Sequence, residues 1–62
     1  MSAGAELSSI HTDLDGLARR ISGLAESMSG TERDDVSAAL YEVERSLGAA
    51  RRRLGKIVDE LV

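Results

Sequence analysis

Sixty-two residues are enough for one small domain and no more. With 42% apolar and 31% charged residues, no proline, no cysteine and one aromatic residue, Tyr41, the composition is helical and excludes a disulfide-stapled scaffold or a thiolate metal site. Eleven acidic residues against eight basic ones leave a formal net charge of −3, which argues against a general nucleic-acid binder.

The N-terminal stretch MSAGAELSSI has neither a basic start nor an apolar core, so it does not read as a signal peptide. No apolar run approaches the ~20 residues that span a membrane, and a cytoplasmic protein is the expectation. From Leu7 onward a regular series begins: Leu7, Ile10, Leu14, Leu17, Ile21, Leu24 and Met28, in alternating steps of three and four. Those steps set the side chains along one stripe of a helix, at the a and d positions of a heptad, and predict a helix over about 5–28.

A turn over 29–31 is expected next. Gly30 can adopt the left-handed conformation that closes a helix, and Thr31 can cap the next one, with Asp34 three residues on as a short-armed capping box. Glu32, Asp34 and Asp35 place negative charge where the helix dipole favours it. The tripeptide Met28-Ser29-Gly30 resembles in position the Trp-x-Gly turn of type VII secretion hairpins. Methionine replaces the tryptophan, however, and Arg45 stands where that family's Tyr-x-x-x-Asp/Glu signal, counted from Tyr41, would need an acid. No membership is assigned on it.

The second series, Val36, Leu40, Val43, Leu47, Ala50, Leu54, Ile57 and Leu61, predicts a helix over about 32–61. A connection this short makes the helices antiparallel neighbours, so residues whose numbers sum to about 64 should face each other. Leu7 then meets Ile57, Ile10 meets Leu54, Leu14 meets Ala50, and so on to Met28 and Val36, every layer apolar on both sides. The fold class is all-α: residues 1–62 form one antiparallel two-helix hairpin, coiled-coil-like, that dimerises into a four-helix bundle.

The run Arg51-Arg52-Arg53 fits that hairpin. Consecutive helical residues point about 100° apart, so the three cannot form one basic patch. Arg51 falls near Asp15 and Arg53 beside Asp13 on the facing helix, while Arg52 joins Arg45 and Lys56 on the outer side. Such pairs set register more than they add stability.

Two helices meeting along one seam do not enclose a core, so a second copy or a partner's helices should cover the open face. Small residues at flanking positions and glycines at heptad spacing mark the candidates Ala18, Ala25, Gly48 and Gly55. Tyr41 is an anchor candidate, and Val58 with Val62 widens the apolar face at the C-terminal end. His11 is the single histidine; with Asp15 one turn away it offers two ligands and no thiolate, a poor metal site, and a surface role is expected. Neither the carboxylates Asp13, Asp15, Asp34 and Asp35 nor the serines have the water-excluding pocket or base partner that catalysis needs.

No catalytic, cofactor or metal site is therefore expected. The expected function is a non-enzymatic interaction module, an adaptor, assembly subunit or small regulator, that associates with itself or with a partner's helices. Two alternatives stand: a small acidic inhibitor or antitoxin that folds on its target, and a weak nucleic-acid binder using Arg45, Arg52, Arg53 and Lys56.

Overall fold

The computed structural model describes residues 2–61, which form two helices and the turn between them. Helix α1 runs Ala3–Met28 and helix α2 runs Asp34–Leu61. They pack side by side into a flat hairpin of 47 × 16 × 9 Å. There is no strand among the described residues.

Helix α1 starts two residues before the expected position because Ser2 caps it. Ser2 has extended backbone geometry, and its hydroxyl accepts the Ala5 N–H at 3.2 Å. At the other end the Ser29 N–H donates to the Glu26 carbonyl at 3.2 Å, and Gly30 takes φ +77°, the left-handed residue that the sequence called for.

The turn is longer than 29–31 because residues 31–33 form a turn of their own before α2 begins at Asp34. Thr31 organises it: its hydroxyl donates to the Met28 carbonyl at 2.6 Å and accepts the Arg33 N–H at 3.1 Å, while its carbonyl accepts the Asp34 N–H at 3.1 Å. The Asp34 carboxylate does reach back, but to the Gly30 N–H at 2.8 Å and not to Thr31. Asp34 and Asp35 occupy the first turn of α2, where its dipole favours them.

Antiparallel register follows from three contacts along the hairpin. Ser37 bonds to Ala25 near the turn, Arg51 to Asp15 past the middle, and Gly55 lies against His11 further on. All three fall within two residues of the register that the sequence pattern predicts.

The composition of the seam differs from the expectation. On α1 the inward rows are Gly4, Leu7, His11, Leu14, Ala18, Ile21, Ala25 and Met28. On α2 they are Ser37, Leu40, Glu44, Leu47, Arg51, Leu54 and Val58. Leu7, Leu14, Ile21, Leu40, Leu47 and Leu54 thus stay inside as predicted. Ile10, Leu17, Leu24, Val43, Ala50, Ile57 and Leu61 do not: Ala50 is exposed and the other six are 45–58% exposed, and the expectation of apolar layers throughout is corrected at those positions. Relative to a seam with both rows apolar, each helix is turned by about 50° about its axis, half a residue step.

Small side chains explain the turn. Ala25 is fully buried and Ser37 is 3% exposed, and the Ser37 hydroxyl donates to the Ala25 carbonyl at 2.7 Å across the seam. That bond brings a side chain of one helix onto the backbone of the other, an approach that paired leucines would block. It also satisfies a carbonyl in the last turn of α1, because the Ser29 N–H bonds to Glu26 instead. The His11 ring fits in the same way, since a Cβ on Gly55 would sit 3.4 Å from its Nε2.

Candidate interaction surface

The turned helices give the hairpin two unlike long faces. In an antiparallel pair, rows that flank the seam on the same side belong to the same face. One face carries Ile10, Leu17 and Leu24 from α1, spaced by seven, and Val43, Ala50 and Ile57 from α2, also spaced by seven. Leu24 is 58% exposed, Leu17 48% and Ile57 46%. Single exposed aliphatics are ordinary on protein surfaces; two aligned rows of them on one flat face are not.

Charged residues border that face on its α1 side. Asp13 and Arg20 stand one turn either side of Leu17, both exposed, and neither forms an ion pair among the described residues. The predicted pair between Arg53 and Asp13 is also absent, because the rotation carries both to the outer shoulders of the apolar face.

The opposite face is polar and holds an open groove of about 710 Å³ between Ser22, Gly23, Tyr41, Gly48, Arg45 and Arg52. Asp15 braces its wall, pairing with Arg51 of α2 at 3.1 Å, as the sequence predicts, and with Arg19 at 2.9 Å. Arg19 is largely exposed and Asp15 and Arg51 are partly so, a solvated setting in which each pair contributes under about 1 kcal/mol. Arg45 is held by Glu42 at 2.9 Å. The guanidinium of Arg52 folds back over Gly48, within 3.4 Å of where a Cβ would stand.

The candidate interface residues divide between the two faces and the seam. Ala18, Ala25 and Val58 lie on the inward rows, and Gly55 beside them under His11, so their small size or apolar surface is used within the hairpin. Gly48 and Tyr41 line the open groove, with Tyr41 38% exposed. Val62 lies outside the described residues. His11, expected at the surface, is half-buried in the seam because the rotation moves its row inward. The open aliphatic rows, which pattern reasoning assigned to the seam, are the surface feature it missed.

The four basic residues of the nucleic-acid alternative do not share a face. Arg45 and Arg52 follow one row that ends in Asp59, Lys56 lies on the next, and Arg53 stands on the apolar side with Glu60 one heptad beyond. No group of three or more histidine, aspartate or glutamate side chains able to hold a metal occurs among the described residues. Among the described residues no helix is long and apolar enough to cross a membrane. Compared with family models, with curated proteins and with solved structures, the chain gives no match to any of them.

Proposed function

We propose that this protein is a non-enzymatic interaction module that associates with itself, laying its aliphatic face on the same face of a second copy to form a four-helix bundle. It acts through that assembly as an adaptor, an assembly subunit or a small regulator. The observation that carries the reading is the double row of Ile10, Leu17, Leu24, Val43 and Ile57, each 45–58% exposed in the single hairpin. A layer one helix thick cannot shield both sides of such residues, and a second layer supplies the missing side.

Light scattering at micromolar concentration tests this against two variants, Leu24→Asp and Ile57→Asp. The wild-type chain is expected at twice its 6.6 kDa mass, and both variants at the mass of one chain. Each carboxylate would lose its water inside the apolar face, with only a bordering arginine one turn away, which disfavours association. A wild-type chain that stays at 6.6 kDa while fully helical overturns the reading.

A further inference from the structure

We infer that the two copies meet about a twofold axis that crosses the hairpin near Leu17 and Ala50, with α1 on α1, α2 on α2 and the two turns at opposite ends. This rests on the self-association proposed above and fixes its geometry.

The first support is the symmetry of the aliphatic pattern. On α1, Ile10 and Leu24 each lie seven residues from Leu17, so reversing the helix about Leu17 brings Ile10 onto Leu24 of the second copy and Leu17 onto itself. On α2 the exposed row Val43, Ala50 and Ile57 reverses about Ala50, bringing Val43 onto Ile57 of the second copy and Ala50 onto itself. The two centres sit within about one helical turn of the same height. Contacts of Asp15 with Arg51 and of Ala25 with Ser37 set Leu17 opposite the stretch around Gly48. One axis therefore serves both exposed rows to within about a turn, as a self-complementary face of a closed dimer requires.

Charge is the second support. Asp13 and Arg20 lie four residues before and three after Leu17, on the border of the face and without ion-pair partners among the described residues. The reversal sets Asp13 of one copy beside Arg20 of the second copy, and the symmetry repeats the pair. The competing arrangement, with both turns at one end and α1 on α2, would pair Asp13 with Arg53 of the second copy. It would also face Glu6 with Glu60, two like charges, and leave Arg20 opposite Ser46. Interfacial charge pairs of this kind select register and orientation more than they add affinity.

The native chain has no cysteine, so a single Leu17→Cys variant carries the only thiol. On the axis, that thiol faces its own copy and mild oxidation gives a disulfide-linked dimer that keeps its helicity. Independently, Asp13→Arg weakens association about tenfold by setting like charges together, and adding Arg20→Asp in the same chain restores it. If wild type dimerises but the Leu17→Cys variant does not cross-link, and Arg53→Asp restores the Asp13→Arg variant where Arg20→Asp does not, α1 lies on α2 and this geometry is wrong. In that case the self-association stands. A wild-type chain that never dimerises overturns both.

Discussion

Ser37 is where the two helices are most tightly tied. Its hydroxyl, 3% exposed with its residue, donates to the Ala25 carbonyl 2.7 Å away. Replacing it with alanine removes the donor and leaves a buried carbonyl without one, which should cost about 1–2 kcal/mol in urea denaturation at fixed protein concentration. No change in stability would mean that the carbonyl finds water or another partner. The pair of Asp15 with Arg51 and the left-handed Gly30 were legible beforehand, because each follows from local geometry once the hairpin is assumed. Ser37 was not. A hydroxyl that bonds to a backbone carbonyl twelve positions away leaves no periodic trace in the sequence.

At the scale of the elements, the heptad steps identified both helices, their direction and their register, but not which rows form the seam. Leu7, Leu14 and Ile21 are flanked on one side by Ile10, Leu17 and Leu24 and on the other by His11, Ala18 and Ala25. A hydrophobic stripe favours the first choice. Close packing of two backbones favours the second, and the bond from Ser37 to Ala25 marks that it prevails here. The small residues thus serve the intramolecular contact, and the larger ones stay exposed on the open face.

The same separation makes a prediction about the glycines of α1. A Cβ at Gly16 or Gly23 would meet nothing within 4 Å, and neither position lies on the aliphatic rows. Gly16→Ala and Gly23→Ala should each stabilise the helix by about 0.5–1 kcal/mol while leaving association unchanged. Thermal and denaturant melts read the first effect and sedimentation reads the second. Loss of association in either variant would place a partner backbone against those glycines instead of against Leu17.

The whole molecule is a single layer of two helices, 47 Å long and 9 Å through its thinnest extent. One side of that layer is polar and braced by ion pairs of Asp15; the other presents two aliphatic rows bordered by Asp13 and Arg20. Stacking two such layers on their apolar sides gives a bundle whose outer surfaces are both polar, with the open groove on the outside of each. The sequence implied the need for a second layer, since so short a hairpin encloses little. It did not reveal which face is open, because that depends on the half-step rotation of each helix.

The concentration dependence of thermal unfolding tests this most directly. If a second copy shelters Leu17, Leu24 and Ile57, the native state is linked to association, so Tm should climb by several degrees for each tenfold rise in chain concentration. A cooperative melt at one Tm across the whole range, from a species with the mass of one chain, would contradict the account.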